Sequence, residues 1–520
     1  MKYVFICFYT LYLILRTKRN MHMLQQNFYN NSNRYVKWIF NNKNKAFVIY
    51  DLLFILITLV GSLMNQTILL LAILYFVLFI YYFKVLKKET TKIKFKITSR
   101  VKRMFITLAI IYSLMVYFSI DLKPIYVGII FGSFITLNCF IVYLVNVINK
   151  PIEKCVYLYY FTKAKKKVKE MPRLEVIGVT GSYGKTSSKN ILADILKVKY
   201  DTMPTPKNFN TPYGLMLTIN NHLDKFTEYF IAEMGACEVG QIKELCDFVK
   251  PKYGILTRIG VAHLDSFKSE ENIQKTKFEL IESLPSDGIG ILNMDDPKQV
   301  LYKVKNNCQI KWIAIDNKDA DLVASNIKAT HKGMTFDVKF KGEKKSYKLE
   351  TKLLGNANIY NILAAVMLAS NLGMSMEEIQ RGVKGINVIE HRLELKKQGN
   401  LNIIDDAYNS NPIGSKMALD SLKLMPGKKV IVTPGMIELK DKQYELNFEF
   451  GRQIADVCDQ VILVGKNQTK PIYDGLMDKK YPKNKISVFD DVFEAFNLVR
   501  SMEGGSYILL ENDLPDLFNE

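Results

Sequence analysis

The stretch Leu174–Ser188 constrains the fold more than any other part of the chain. Leu174–Val179 (LEVIGV) is short, apolar and rich in β-branched residues, the pattern of a strand buried on both faces of a parallel sheet. It runs directly into Thr180, Gly181, Ser182, Tyr183, Gly184, Lys185, Thr186 and Ser187. A helical pattern follows over Ser188–Val198, with Ile191, Leu192, Ile195 and Leu196 on one side. Strand, glycine-rich turn, Gly-Lys-Thr and helix is the arrangement a nucleoside triphosphate requires. Glycines let backbone N–H groups approach the phosphates, and a helix N-terminus favours the anion. The lysine neutralises outer phosphate charge and the threonine hydroxyl reaches Mg²⁺. The spacing departs from the strict G-x-x-x-x-G-K-[ST], because position 179 is Val and Gly178 lies one residue early. ATP and Mg²⁺ are the expected cofactors. Gly181, Ser182, Gly184, Lys185, Thr186 and Ser187 are the expected nucleotide contacts, with Thr186 also on the metal.

A net charge of +20 suggests a nucleic-acid binder until its distribution is read. Residues 1–170 hold 25 Lys+Arg and 5 Asp+Glu, which is the whole excess; the remaining 46 basic and 46 acidic groups cancel. The excess sits among four apolar runs, Ala46–Met64, Thr67–Phe83, Met104–Ile120 and Ile125–Ile148, each near the ~17–25 residues that cross a bilayer as a helix. Nine Lys/Arg fall between Lys84 and Arg103, and seven within residues 16–45. Five more lysines, Lys163, Lys165, Lys166, Lys167 and Lys169, follow the last run. The positive-inside bias makes this a multi-pass region of the cell membrane. Its four spans form two hairpins, the basic flanks and the catalytic region are cytoplasmic, and membrane lipid rather than nucleic acid is the partner. Residues 3–15 are compatible with a fifth span, a signal-like segment or an interfacial stretch. Met21 and Met23 would also begin a four-helix protein. Asp51, inside the first run, is either a functional membrane acid or a side chain reaching toward headgroups. The seven cysteines form no C-x-x-C pair, which argues against a zinc ribbon.

From the glycine-rich loop to about residue 510 the chain resembles the Mur ligases, the ATP-dependent amide ligases of peptidoglycan precursor synthesis. The shifted glycine is that family's variant of the loop. Pro206–Thr218 (PKNFNTPYGLMLT) resembles the following segment of the MurF branch, which implies substrate contacts for Asn208 and Asn210. Ala232–Ile242 (AEMGACEVGQI) resembles the family's acidic strand end and implies Glu233 as a Mg²⁺ ligand. Ala262–Phe267 (AHLDSF) resembles its histidine motif, implying a metal and catalytic role for His263. Lys277 matches the lysine that many members carboxylate to make a second-metal ligand, with Lys275 as the alternative register. Hard oxygen ligands with one imidazole suit phosphate-bridging metals. Ile289–Asp296 resembles the strand that places Asn293 near the nucleotide. Gly355–Asn361 (GNANIYN) resembles the adenine contact, keeping Asn358 and Asn361 but with Ala357 where His is usual. Arg392 resembles the arginine that reaches the nucleotide from the last domain. Asn402–Pro412 (NIIDDAYNSNP) resembles the MurF-branch segment, implying Asp406 and Asn409 as nucleotide and substrate contacts.

The expected architecture is an α-helical membrane region over 1–170, a P-loop central domain with a parallel sheet over 171–386, and a smaller Rossmann-like α/β domain over 387–520. In the last, strands at Lys429–Thr433, Gln460–Val464 and Tyr507–Leu510 alternate with helices. The resemblance implies an acyl-phosphate mechanism at Lys185, His263 and Lys277, with a muramoyl-peptide acceptor and an amino-acid or dipeptide donor. Two departures bear on the substrate. The region before the loop is apolar and basic where MurF enzymes carry a soluble domain, and the chain ends on an acidic Glu511-Asn512-Asp513 in place of a Lys-Gly-Ser-Arg-like strand. They leave open a ligase acting on a lipid-linked envelope precursor. An ATP-driven transporter is the remote alternative.

Overall fold

The buried run LEVIGV forms β1 (Glu175–Thr180), an interior strand, third in order, of a nine-stranded sheet. The other strands are β2 (Thr202–Pro204), β3 (Tyr229–Glu233), β4 (Tyr253–Leu256), β5 (Ile289–Asn293), β6 (Gln309–Ala314), β7 (Leu322–Thr330), β8 (Gly333–Phe340) and β9 (Tyr347–Thr351). Their order is β2-β3-β1-β4-β5-β6-β7-β8-β9, parallel through β7 and antiparallel beyond it. The chain moves to one side of β1 for β2 and β3, then to the other for β4 onward. The carboxyl end of β1 is therefore the switch point at which open parallel sheets bind ligands. Close packing is needed there: a Cβ on Gly178 would stand 2.5 Å from Leu280 Cδ1 on the helix Glu270–Glu282.

This computed structural model describes residues 2–27, 29, 34–47, 51, 53–63, 66–88, 94–119, 121–260, 264–330, 332–388, 391–407, 411–437 and 439–512. The chain divides into two units, Met1–Tyr159 and Tyr160–Glu520. Within the second, the helices Lys185–Leu196 and Asn356–Asn371 share one core with β1, β4 and β8 through Ile191, Leu192, Ile195, Ile362, Val366 and Phe336. A six-stranded sheet follows, in the order β10-β11-β15-β12-β13-β14. Its strands are β10 (Glu394–Gln398), β11 (Leu401–Asp406), β12 (Lys429–Thr433), β13 (Gln460–Val464), β14 (Ile486–Phe489) and β15 (Tyr507–Glu511). All its pairings are parallel except the β10–β11 hairpin, whose two-residue turn places Gly399 at φ +60°. The parallel sheets expected from the sequence are present.

Among the described residues two helices, Thr67–Lys87 and Ser99–Ser119, are long and apolar enough to cross a membrane, 21 residues each, and the bent pair over 124–148 makes a third if it is one span. Of the first apolar run, Leu53–Leu63 is described as a helix of 11 residues, about 16 Å long. Ala46 lies outside it, ending the short helix Lys43–Ala46, and its carbonyl accepts a hydrogen bond from Arg16 Nη2 at 3.0 Å. The fourth run breaks at Leu137 into Pro124–Thr136 and Asn138–Ile148, bent by 70°. Asn138, fully buried at the break, donates to Thr17 Oγ1 and Tyr112 Oη and accepts from Asn20 Nδ2. These partners satisfy its polar atoms inside an apolar bundle. Residues 3–15 belong to one helix, Lys2–Gln26, which buries Phe5, Tyr9, Tyr12, Arg16 and Asn20 at helical spacing.

Asp51 does not reach toward solvent. Its carboxylate is 3.0 Å from Arg16 Nη2 and accepts from Tyr12 Oη at 2.5 Å, with both charged side chains buried. Residues 150–169 form one helix, Lys150–Lys169, about 30 Å long.

Candidate active site

The glycine-rich loop turns at the carboxyl end of β1, and the helix begins at Lys185, three residues earlier than the apolar pattern indicates. Gly184, at φ +79°, is the residue that starts it, a left-handed conformation open to glycine. Gly181, at φ +152°, lies against the end of β4; a Cβ there would stand 1.9 Å from Thr257 Oγ1. The loop is fastened to that strand end. Ser182 N donates to Arg258 O at 3.0 Å, Ser182 Oγ to Gly260 O at 2.9 Å, and Thr257 Oγ1 to Tyr183 O at 2.5 Å. Lys185 Nζ donates to the carbonyls of Gly181 (2.9 Å) and Ser182 (3.1 Å), which curls it over the loop. Burial holds its ammonium below the usual lysine range; Glu233 opposes this and Arg392 adds to it.

Opposite the loop, β3 delivers Glu233, 1% exposed, at its carboxyl end. Thr186 Oγ1 and Asn210 Nδ2 donate to Glu233 Oε1 at 3.1 and 3.2 Å. Glu233 Oε2 is buried with no well-aligned hydrogen-bond donor among the described residues. A threonine hydroxyl beside a carboxylate, whose second oxygen stands 3.3 Å from the buried Lys189 ammonium, is a hard-oxygen donor set that fits Mg²⁺, a cation that takes one or two carboxylates together with phosphate oxygens and water. Among the described residues no three His, Cys, Asp or Glu side chains gather as a metal cage.

A cleft of about 1880 Å³ opens over this loop. Ser182, Gly184, Lys185, Thr186 and Ser187 line it, as do Asn208, Asn210, Glu233, Asn293, Asn358 and Asn361. Arg392 and Asp406 enter it from the second sheet. Asn358 and Asn361 sit in the first turns of the helix Asn356–Asn371, and Asn361 Nδ2 lies 3.5 Å from Asn358 Oδ1. Ala357 faces the same cleft, and Tyr360, one turn on, donates to Asp295 at 2.9 Å. Arg392 is carried on a tight turn between His391 (φ +59°) and Leu393 (φ +52°), and Asp406 Oδ1 accepts from Leu393 N at 3.2 Å.

Lys277 is buried (3% exposed) on the helix Glu270–Glu282, 5.6 Å from the centre of the Phe267 ring, whereas Lys275 is exposed. Burial lowers the Lys277 ammonium to about 7, and repulsion from Lys185 adds to the effect. His263 and Asn409 lie outside the described residues.

Several residues in this site carry no motif. Asp296 Oδ2 accepts from Ile259 N at 2.9 Å and from Gln299 Nε2 at 3.1 Å, bracing the strand end beneath the loop. Glu511, in register with Asp406 across β11 and β15, is 1% exposed and accepts from Ser415 Oγ at 2.5 Å. Burial pushes its carboxyl well above the usual range, and Asp406 adds to the effect. Lys189 is fully buried beside Glu233.

A glycine-rich loop at the carboxyl edge of one parallel sheet, in a cleft that an arginine from a second sheet also lines, is the arrangement of an ATP-using α/β enzyme. The Mur ligase middle domain matches residues 179–369, and the Mur ligase, glutamate ligase domain matches residues 391–511. The UDP-N-acetylmuramoyl-tripeptide–D-alanyl-D-alanine ligase of Bacillus subtilis is 31% identical over 329 residues, covering 62% of this chain and 70% of the relative. The Escherichia coli ligase of that name is 29% identical over 302 residues, 58% of this chain and 66% of its own length. Among solved structures, MurF from Acinetobacter baumannii superposes with a TM-score of 0.62 at 26% identity, over 69% of this chain and 77% of that one. MurF from Thermotoga maritima in complex with ADP does so with a TM-score of 0.61 at 26% identity, over 69% and 80%. The chain belongs to the Mur ligase family. It is an ATP- and Mg²⁺-dependent, amide-bond-forming ligase of the MurF type, acting in peptidoglycan precursor synthesis, and the transporter alternative falls away.

Proposed function

We propose that the chain joins a D-alanyl-D-alanine-type dipeptide to a muramoyl tripeptide, and does so while anchored in a membrane. The observation that carries the reading is the convergence of loop, Thr186–Glu233 pair and Asn208–Asn210 segment on one cleft, in a chain 31% identical to the Bacillus subtilis ligase. The acceptor carboxylate attacks the γ-phosphate of ATP, and the bond to the bridging oxygen breaks to give an acyl phosphate and ADP. The dipeptide amine then attacks the acyl carbon. Phosphate leaves, and the amine proton passes to water. Bound Mg²⁺ supplies neutralisation of phosphate charge. Lys185 neutralises the outer phosphates, and Asn208, Asn210 and Asn409 orient the acceptor and donor. Asn293, Asn358 and Asn361 hold the nucleoside, and Arg392 with Asp406 closes over it. His263 and a carboxylated Lys277 complete the metal ligands. The working boundaries are 1–170, 171–386 and 387–520.

Membrane anchoring is supported by the two 21-residue apolar helices and by the confinement of the +20 charge to the first 170 residues. It favours an acceptor met at the membrane surface, on a lipid carrier, as the second reading. Full-length protein in bilayers, given UDP-linked and lipid-linked muramoyl tripeptide side by side with ATP and D-alanyl-D-alanine, tests both readings by mass spectrometry of the products. Amide product on the UDP-linked acceptor alone removes the lipid-linked reading, and product on neither removes the substrate assignment. Extraction of the chain from membranes by carbonate would remove the anchor.

A further inference from the structure

We infer that Lys189 is a positioning residue of the ligation, coupling the carboxylate at the metal position to the loop on the acceptor side of the cleft. The inference rests on the reading of Glu233 and of Asn208–Asn210 given above. Lys189 follows Lys185 by one helical turn, yet it is not among the residues that line the cleft and is 0% exposed. An ammonium with no access to water is costly unless its donors are matched, and an apolar side chain of the same length would fill the space without that cost. Its two acceptors are specific. One is Glu233 Oε2, 3.3 Å away, the oxygen that Thr186 and Asn210 leave open. The other is the carbonyl of Lys207, at short range.

Lys207 opens the segment that presents Asn208 and Asn210, and it is held at φ +48°, a conformation uncommon for a residue with a side chain. The same segment is tied to the end of β3 at three further points. Thr205 Oγ1 accepts from Glu233 N at 3.2 Å, Asn210 Nδ2 donates to Glu233 Oε1, and Asn210 O accepts from Gly235 N at 2.7 Å. Lys189 supplies the cation among these ties. A divalent cation on Glu233 withdraws the carboxylate's negative charge from Lys189. The ammonium cannot reach water, so it then depends on Lys207 O, and the acceptor loop tightens when nucleotide and metal arrive. Coupling of this kind is reciprocal: bound acceptor should raise the affinity for nucleotide and metal by the same factor.

The test uses the full-length chain in detergent, with Mg·ADP and UDP-linked muramoyl tripeptide as probes, and the variants Lys189→Met and Lys189→Arg. In the wild type, Mg·ADP should slow hydrogen exchange of the backbone amides in 205–210. In Lys189→Met that protection should vanish while Mg·ADP still binds, and KM for the acceptor should rise on the order of 10-fold with KM for ATP changed far less. Lys189→Arg keeps the charge and should fall between the two; if Lys189→Met does not fold, this variant decides. Unchanged loop protection with unchanged acceptor KM in a folded variant overturns the inference, as does a loss confined to ATP binding. Glu233→Gln separates the two levels. If it leaves Mg²⁺-dependent nucleotide binding intact, the metal reading itself falls and the coupling with it. If Glu233→Gln abolishes that dependence while Lys189→Met is silent, only the coupling falls.

Discussion

Thr186 Oγ1 stands 3.1 Å from Glu233 Oε1, although 47 residues separate them in the chain. One residue opens the helix after β1 and the other closes β3, so their meeting follows from β1 and β3 being neighbours in a parallel sheet. That pair, with Lys185 beside it, lines the cleft.

Lys185→Ala should lower kcat/KM on the order of 10²–10³-fold, the range found when one preorganised charge-stabilising group is removed from an active site. The side chain bonds only to carbonyls of its own loop, so the melting temperature should change little. ADP release with both acceptor and dipeptide present measures the first effect. Near-normal turnover would sink the assignment of the loop.

Gly181→Ala places a methyl group 1.9 Å from Thr257 Oγ1 at a φ of +152°. The loop must move, at a cost of about 1–3 kcal/mol, and nucleotide affinity should drop at least tenfold. Gly240→Ala is the matched control. It also has positive φ, +90°, but nothing lies within 4 Å of the added carbon. It should cost about 1 kcal/mol of stability and leave nucleotide affinity intact. Equal losses in both variants would show that strain alone, and not the contact with Thr257, sets the effect.

Lys277→Ala should be inactive and Lys275→Ala active, since of the two only Lys277 is buried, within range of the Lys185 charge. Carboxylation by CO₂ needs a neutral amine. With the ammonium lowered to about 7, the neutral fraction rises from about a tenth at pH 6 to about nine tenths at pH 8. At equal dissolved CO₂, enzyme stripped of it should therefore regain activity more readily at pH 8 than at pH 6, followed by turnover and by a ¹³C-carbamate resonance. The opposite pH order, or an inactive Lys275→Ala, argues against the carboxylated ligand.

Arg16→Leu leaves the Asp51 carboxylate buried without its cation. Breaking a buried pair from one side costs about 3–5 kcal/mol, whereas removing both charges is often neutral. Arg16→Leu should thus lower thermal stability in detergent strongly, and the added change Asp51→Asn should recover most of the loss. Two equal and additive losses would mean that the ion pair contributes nothing as a pair.

Glu511 is buried beside Asp406, and its carboxyl is held well above the usual range. A raised folded-state pKa means that the native chain binds more protons than the unfolded one. Stability from this group is full below the unfolded value of 4.5 and declines as pH rises toward the folded value. Glu511→Gln should therefore be more stable than the wild type at pH 8, with the advantage shrinking toward pH 5. Urea midpoints at the two pH values check this, and an advantage that grows on acidification would reverse the sign.

Sequence alone determined what is local. The strand, the glycine turn and the Gly-Lys-Thr helix start are contiguous, and their chemistry depends on neighbours one to five residues away, so Gly181–Ser187 was legible without a fold. The strands at 429–433 and 460–464 were legible because both faces are buried and the apolar run is unbroken. Tertiary structure decided everything that depends on which way a polar side chain faces. Lys275 and Lys277 look alike in composition, and only packing puts Lys277 inside; its spacing from Ile273 and Ile281, four residues each way, is the signal that was available. Lys189 resembles a surface lysine until β3 brings Glu233 against it. Asp51 resembles an isolated membrane acid until the helix Lys2–Gln26 supplies Arg16 from 35 residues earlier. The apolar run 125–148 has the composition of one continuous span, yet it bends by 70° at Leu137. Hydropathy counts apolar residues. It does not register a buried polar network, whose partners lie far apart in the chain and meet only when the helices pack.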